Sequence, residues 1–250
     1  MTAPIRTTGE AVVGALTAHG IDTLYALPGV NNDPLFDAAA RTDGFRVLHP
    51  RHEQTAAYMA LGAALASGAP QVCAAVPGPG LLNMSAALLT AYGRGAPVLA
   101  LAGKVPSFAI DRGAGYLHEL PDQLGLLRHF TKVAARIAAP QQAPGLVARA
   151  VQAAVSPRAR PVALECAIDT WGERGPVVPV APLAPETVAV DAAAVARAAD
   201  ILSHAERPLI VAGGGALGAG AELLALAERL EAPVATFRRG RGVVPTGHRL

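Results

Sequence analysis

The feature that most constrains the fold is a repeated alternation between short apolar runs and longer segments of helical composition. The short runs are rich in β-branched and other apolar side chains, which is typical of buried strands. Strands that are apolar on both faces, and that alternate with helices, belong in a parallel sheet covered on both sides. The sequence therefore predicts an α/β fold with a parallel sheet flanked by helices. The predicted strands lie at residues 21–26, 45–48, 72–76, 98–102, 132–137 and 162–167.

Two helix starts can be read from capping patterns. Thr7 and Glu10 have the spacing of a capping box, in which two side chains satisfy main-chain N–H groups at the start of a helix. This spacing predicts a helix over residues 8–19. Asn32 or Asp33 is predicted to cap a second helix with Pro34 at its first position, where a missing N–H costs nothing.

Composition and charge exclude several classes of protein. The chain of 250 residues is 52% hydrophobic and 16% charged, so it can bury a large core as one large domain or two smaller ones. Its formal net charge is +2 and its basic residues are scattered, which argues against a nucleic-acid partner. The apolar segment 72–102 is broken by Pro and Gly, which indicates a buried core and not a membrane span. The first ten residues of the chain contain no apolar signal segment, so we expect a cytoplasmic protein.

Three unusual loops follow strands of the predicted sheet. They are residues 27–33, 49–53 and 77–80, and they are rich in Pro, Gly, Asn and charged side chains. In open parallel sheets, ligands bind at the loops beyond the carboxyl ends of the strands. We therefore expect the functional site at this edge.

The composition changes after residue 170. Residues 171–185 are rich in Pro, Val and Gly without periodicity, which predicts a linker over the surface. A new unit then follows, with helix-like residues 191–203 and 217–230 and strand-like residues 208–212 and 233–237. A parallel sheet of two strands cannot bury both of its faces, so this unit is predicted to be an incomplete Rossmann-like domain.

Glu53 is the strongest candidate for chemistry. In the segment RHEQTAAYMALGAALA it stands at a strand-to-helix junction, before apolar residues at helical spacing. One interpretation is a simple negative charge at a helix N-terminus. The other is a buried acid that faces a ligand at the sheet edge and exchanges a proton with it. The residues of this segment alone do not decide between the two.

A family resemblance favours the second interpretation. The segments LPGVNNDPLFDA, RHEQTAA, PGPGLLNMSAALLTAYGRGAPVLALAG and LHELPDQLGLLRHFTK resemble the pyrimidine-binding domain of the acetolactate-synthase-like thiamine-diphosphate enzymes. That family includes acetolactate synthase, benzoylformate decarboxylase and glyoxylate carboligase. The resemblance runs over residues 5–170, and the tail from residue 208 looks like the start of the family's middle domain. It implies a pyrimidine domain at residues 1–172, a linker at 173–190 and a partial middle domain at 191–250.

The resemblance implies specific roles at the site. Glu53 corresponds to the family's glutamate, which hydrogen-bonds N1' of the aminopyrimidine and favours the 4'-imino tautomer that removes the thiazolium proton. Pro28, Gly29 and Val30 would border the pyrimidine and the reacting centre; without the family context, the alternative is an ordinary tight turn after a strand. Pro79 and Asn83, in the family's GPGxxN pattern, would lie against the pyrimidine.

His118 is the second catalytic candidate. It occupies roughly the place where acetolactate synthases carry a Gln before a Glu, here Glu119. A histidine there could orient an acceptor or relay a proton, or it could be a solvated loop residue. Lys104 replaces the Gln usual in acetolactate synthases, and Pro77 replaces the usual Ser. These departures favour a related carboligase or decarboxylase over acetolactate synthase itself.

The expected cofactor is thiamine diphosphate, with Mg²⁺ held by a domain absent from this chain. The family's diphosphate site uses a Gly-Asp-Gly motif, which these 250 residues lack, and we assign no metal ligand here. The stretch Gly213 to Gly218 fits a dinucleotide pattern, and in some family members the equivalent domain binds FAD, so FAD is an undetermined further cofactor. Cys73 and Cys166 have no His or second Cys at ligand spacing and are expected to be buried structural thiols.

The sequence therefore predicts the N-terminal portion of a thiamine-diphosphate-dependent carboligase or decarboxylase acting on 2-keto acids. This chain alone is expected to be inactive, with self-association or a chain carrying the diphosphate-binding domain as its partner. The sequence ends inside the resembled middle domain, which favours a piece of a longer protein. The alternative is a split-subunit or non-catalytic protein that retains the fold.

Overall fold

A computed structural model describes residues 3–250, which form two compact units. The first unit ends at Thr187 and the second spans Val188–Leu250. The first unit contains eight strands and seven α-helices among the described residues. In chain order they are β1 (Ile5–Thr7), α1 (Thr8–Ala18), β2 (Thr23–Ala26), α2 (Asp33–Ala40), β3 (Arg46–Leu48), α3 (Glu53–Ser67), β4 (Gln71–Ala75), α4 (Pro79–Arg94), β5 (Val98–Lys104), α5 (Gln123–Phe130), β6 (Ala134–Ile137), α6 (Ala143–Val155), β7 (Val162–Ala167), α7 (Ile168–Gly172) and β8 (Arg174–Pro176).

Six strands of the first unit form one sheet in the order β3-β2-β4-β5-β7-β6. Every neighbouring pair in this sheet is parallel. The α/β fold and the parallel sheet predicted from the alternation are therefore confirmed. Each predicted strand is present, with ends that differ by up to two residues. Such differences are common because hydrogen-bonded pairing, and not hydropathy alone, decides where a strand ends.

Successive residues of the central strands pack into two separate cores. On β5, Leu99 and Leu101 face a core formed with α1, α2 and α6. Ala100 and Ala102 face the opposite core, formed with α3, α4 and α5. This two-sided burial explains why the strand is apolar at every position instead of alternating.

The capping prediction for α1 is confirmed. The Glu10 N–H donates to Thr7 Oγ1 at 3.0 Å, and the Thr7 N–H donates to Glu10 Oε2 at 2.8 Å. The prediction for α2 is partly wrong, because this helix begins at Asp33 and Pro34 takes its second position. Asn32 is the N-cap residue there, but its side chain makes no capping hydrogen bond.

The segment predicted as a surface linker contains structure that the sequence did not indicate. Trp171 is fully buried within α7. Strand β8 pairs antiparallel with β1, with Ile5 opposite Pro176 and Thr7 opposite Arg174. A three-residue strand that contains Gly and Pro has no periodicity to detect, which explains why it was missed. The domain limits 1–172, 173–190 and 191–250 stay predictions.

The second unit is small and leaves much apolar surface uncovered. It contains α8 (Ala192–Ser203), β9 (Ile210–Ala212), α9 (Gly220–Leu230) and β10 (Val234–Thr236), and a 3₁₀ turn at Gly214–Ala219 precedes α9. The two strands pair in parallel. Large side chains such as Ile201, Leu209 and Phe237 are 62 to 70% exposed. This exposure agrees with the argument that two parallel strands cannot bury both of their faces.

Among residues 3–250, no helix has the length and apolar character needed to cross a lipid bilayer.

The capping box generates a stability prediction. Thr7→Ala removes the hydroxyl that accepts from Glu10, so we expect the free energy of unfolding to fall by about 1 kcal/mol in urea denaturation. Thr17→Ala is the control, because the Thr17 hydroxyl bonds Val13 O within the same helix and satisfies no free N–H group. An equal loss in both variants would contradict a special role for the cap.

Candidate active site

The carboxyl ends of β2 and β4 meet in close main-chain packing around Val76. A Cβ atom at Gly29 would lie 2.5 Å from Val76 Cγ1, and one at Gly80 would lie 2.7 Å from Val76 Cγ2. Real Cβ atoms do not approach other heavy atoms so closely, so a larger residue at either position would force Val76 to shift. The loop after β2 and the first turn of α4 are thereby held against the two sides of one side chain.

Glu53 lies beside this contact. It is the first residue of α3, and its Oε2 accepts a hydrogen bond of 2.9 Å from Asn83 Nδ2 on α4. Its Oε1 is 3.5 Å from the position that a Cβ on Gly80 would take. Among the described residues, this second oxygen has no hydrogen-bond donor. The carboxylate is therefore oriented across two helices, which is more than a simple negative charge at a helix N-terminus requires.

His118 is brought to the same edge by a different contact. A Cβ atom at Gly78 would lie 2.7 Å from the His118 carbonyl oxygen, so the main chain at His118 rests on the turn that begins α4. Both residues have positive φ angles, 60° for Gly78 and 64° for His118. His118 is half-buried, and its Nδ1 is buried without a partner among residues 3–250. One ring nitrogen of His118 is therefore shielded from solvent while the residue as a whole stays half-exposed.

The remaining predicted site residues lie at this edge with accessible surfaces. Pro28, Val30 and Pro79 are exposed, and Gly29 and Asn83 are half-buried. Val30 begins a 3₁₀ turn, Val30–Asn32, directly after the loop that contacts Val76. The structure thus places Pro28, Gly29, Val30, Pro79 and Asn83 in the same region as Glu53. Their roles toward a cofactor stay predictions.

A cluster of buried polar side chains behind the site was not predicted from the sequence. Glu165 on β7 is 0% exposed and accepts from Arg136 Nε at 2.6 Å. Gln123, at the start of α5, donates from Nε2 to Glu165 Oε2 and to Gly103 O, both at 2.9 Å. Lys104 is 1% exposed and donates to Leu120 O at 2.7 Å. A charged residue inside an apolar strand, as in PVALECA, was the signal that could have revealed this cluster.

Both cysteines are buried, as predicted, and neither forms a disulfide. Burial raises the pKa of the Cys73 thiol to about 12 and also raises the pKa of Cys166. Both therefore remain protonated at neutral pH, where the thiolate needed for nucleophilic chemistry is scarce. This agrees with the predicted structural role.

Comparisons with known proteins place this chain in a family. Residues 6–126 match the model of the thiamine pyrophosphate enzyme N-terminal TPP binding domain, and residues 195–250 match that of the central domain. The chain therefore belongs to the thiamine pyrophosphate enzymes, as the resemblance indicated.

Two curated relatives align along almost the whole chain. A protein named "Probable 2-ketoarginine decarboxylase AruI" from Pseudomonas aeruginosa is 37% identical over 249 residues, which cover 96% of this chain and 43% of that protein. A "Probable acetolactate synthase large subunit" from Methanocaldococcus jannaschii is 36% identical, covering 96% of this chain and 42% of that protein. The chain thus spans less than half the length of these relatives.

A solved structure has the same fold. It is the thiamine diphosphate-dependent 4-hydroxybenzoylformate decarboxylase of Rhodococcus jostii RHA1, which superposes with a TM-score of 0.86 at 24% sequence identity. The alignment covers 97% of this chain and 46% of that one.

The turn at Gly78 generates a prediction with a matched control. Gly78→Ala places a Cβ on a backbone with φ 60° and ψ −119°, against His118 O. We expect the free energy of unfolding to fall by about 1–3 kcal/mol. Gly62→Ala, on α3 with open space around it, is expected to be neutral or to stabilise by about 0.5–1 kcal/mol. Chemical denaturation of the two variants compares them, and equal stabilities would show that the turn tolerates a side chain.

Proposed function

We propose that this chain is the N-terminal portion of a thiamine-diphosphate-dependent carboligase or decarboxylase acting on 2-keto acids. In this proposal Glu53 engages N1' of the aminopyrimidine. The observation that carries the proposal is the oriented Glu53 carboxylate, fixed by Asn83 at 2.9 Å beside glycines that keep main chain close to the ligand space.

The residues around Glu53 fit an aromatic ring that carries a basic nitrogen. Gly29 and Val76, which lie next to Gly80 and Glu53, are half-buried and carry no polar side chain, so the accessible surface there is apolar. The Asn83 amide occupies Oε2, which leaves Oε1 to share a proton with a ring nitrogen. When bound, the cofactor supplies the stabilisation of the carbanion, while the protein supplies placement and proton control.

His118 is proposed to act on the substrate side, by orienting an acceptor or by relaying a proton. Its support is its position on the Gly78 turn, which begins the helix that carries Asn83. Its buried Nδ1 also has no partner among the described residues, so a group of the substrate could complete its hydrogen bonding.

The proposed donor class is a 2-keto acid. Support comes from the names of proteins to which the chain is similar, a 2-ketoarginine decarboxylase and a 4-hydroxybenzoylformate decarboxylase. Two such different side chains indicate the keto acid group, and not the side chain, as the shared feature. The choice between decarboxylation and carboligation depends on the acceptor of the activated intermediate.

Diphosphate binding is proposed to come from elsewhere. The sequence contains no Gly-Asp-Gly motif, which is the family's ligand for the bridging Mg²⁺. Without metal and phosphate contacts, most charge-based binding energy for the cofactor is missing, so these 250 residues alone are expected to bind it weakly. This observation also supports the alternative of a split-subunit or non-catalytic protein. FAD binding by the second unit stays a prediction.

A carboxylate replacement tests the role of Glu53. In complexes of the chain with a co-expressed polypeptide that carries Gly-Asp-Gly, Glu53→Gln is expected to reduce 2-keto-acid turnover by about 100- to 10,000-fold, because an amide cannot exchange the proton. Turnover and calorimetric titration with thiamine diphosphate and magnesium are measured side by side.

Glu222→Gln, on the exposed surface of the second unit, is the control and is expected to keep full turnover. Unchanged turnover in Glu53→Gln would refute the assignment. If even the parent complex neither binds the cofactor nor turns over 2-keto acids, the non-catalytic alternative is favoured.

We also propose that the first unit self-associates through the outer face of α3 and α4. Tyr58 and Leu65, and likewise Leu82 and Leu89, recur at seven-residue spacing and are 41 to 54% exposed. This spacing places each pair on one side of its helix. The two helices are joined where the Tyr58 hydroxyl meets Thr90 Oγ1 at 3.2 Å. Uncharged apolar side chains on adjacent helices suit a self-complementary contact around a twofold axis.

A charge placed on this face tests the association. Leu89→Arg would bury an unpaired cation in the proposed contact, so we expect sedimentation velocity to show a dimer for the parent and a monomer for the variant. Val133→Arg, which changes a 42% exposed apolar residue outside α3 and α4, is expected to remain dimeric. A monomeric parent chain would overturn this proposal.

A further inference from the structure

The connection between β5 and α5 is unusually long and carries His118. It spans residues 105–122, and its only regular element is a 3₁₀ turn at Ser107–Ala109. Long connections inside compact domains are commonly functional, but they need anchors to hold a defined path. The positions of these anchors decide how accurately His118 is placed.

Two sets of hydrogen bonds hold parts of this loop without involving the sheet strands. Near its start, Asp169 accepts from the Ser107 N–H at 2.9 Å and from the Ser107 hydroxyl at 2.5 Å. Within the loop, Glu119 accepts main-chain N–H bonds of 3.1, 2.6 and 3.0 Å from Gly113, Gly115 and Tyr116. The second set closes the loop on itself and does not tie it to the sheet.

Lys104 supplies the tie between the sheet and the part of the loop next to His118. It is the last residue of β5, is 1% exposed, and donates from Nζ to Leu120 O at 2.7 Å. Leu120 is two residues from His118, whose carbonyl rests on Gly78. A shift of Leu120 would therefore be passed directly to that contact.

Burying the charged ammonium group of Lys104 costs desolvation free energy. Burial lowers the pKa of its ammonium group, while the carboxylates of Glu165, Asp111 and Glu119 oppose that shift and Arg136 adds to it. Glu165 is itself held by Arg136 and Gln123. An apolar side chain would fill this space without the desolvation cost, but it would lack the hydrogen bond to Leu120 O and the attraction to the neighbouring carboxylates.

We propose that Lys104 is a positioning residue, whose hydrogen bond to Leu120 holds the His118 segment of the loop against the Gly78 turn. The proposal deepens the proposed function, on which the chemical part of His118 rests. The placement of the loop itself is independent of that chemistry.

Amide hydrogen exchange of the full chain tests the proposal without any cofactor. In Lys104→Met, exchange over residues 113–120 is expected to be about tenfold faster, because a charge-assisted hydrogen bond that closes the loop is lost. Exchange in α3 and α4 is expected to be unchanged. Since no cofactor or turnover is involved, a negative result here is separate from a failure of the proposed function.

Two further variants make the result specific. Lys132→Met removes another lysine that donates to carbonyl oxygens, those of Ala153, Ser156 and Pro157, and is expected to leave residues 113–120 protected. Lys104→Gln keeps an N–H donor and is expected to restore part of the protection. Unchanged exchange in Lys104→Met, faster exchange throughout the first unit, or no recovery in Lys104→Gln would each overturn the proposal.

Discussion

The candidate site depends on how closely main chain packs at the end of β4. Gly29 and Gly80 leave room for the two γ-methyl groups of Val76, and Gly103 leaves room for the Asn32 amide beside Pro77. A valine side chain has few favourable rotamers, so relaxing this contact by a change of rotamer is costly. The loop after β2, the first turn of α4 and the end of β5 are therefore held to one point. Because α4 begins there, Asn83 reaches Glu53, and the direction of the carboxylate follows from the packing.

The buried polar side chains behind the site have a different role, because they position a long loop. Apolar contacts alone would not hold residues 105–122 in one position, because apolar packing has no preferred direction. The bonds from Gln123 to Gly103 O and from Lys104 to Leu120 O are directional, and they join the end of β5 to residues before and after Pro121. The desolvation cost of Lys104 is limited by the carboxylate of Glu165, which is itself paired with Arg136.

What the sequence predicts, and what it misses, follows from the range of each interaction. The helix start at Thr7 and the strand at Val162–Ala167 are set by neighbouring residues and were predicted directly. Glu53 was found because its pattern at a helix start is local, and the family resemblance added the expected role. The bond between Glu53 and Asn83 joins residues 30 apart, and the pairing of β1 with β8 joins the two ends of the first unit. No periodicity encodes such contacts, so the anchors of the His118 loop required the structure.

In the proposed cofactor site, orientation and affinity depend on different interactions. This difference explains why the residues around Glu53 are closely packed although these 250 residues alone are expected to bind the cofactor weakly. In the proposed function, shape and one shared proton would orient the ring, with the glycine contacts setting the shape and the Asn83 bond leaving Oε1 of Glu53 for the proton. Affinity for a diphosphate depends on metal and charge, and the motif for these is not in the sequence. A change that loosens the packing around Val76 should then impair proton transfer before it impairs cofactor binding.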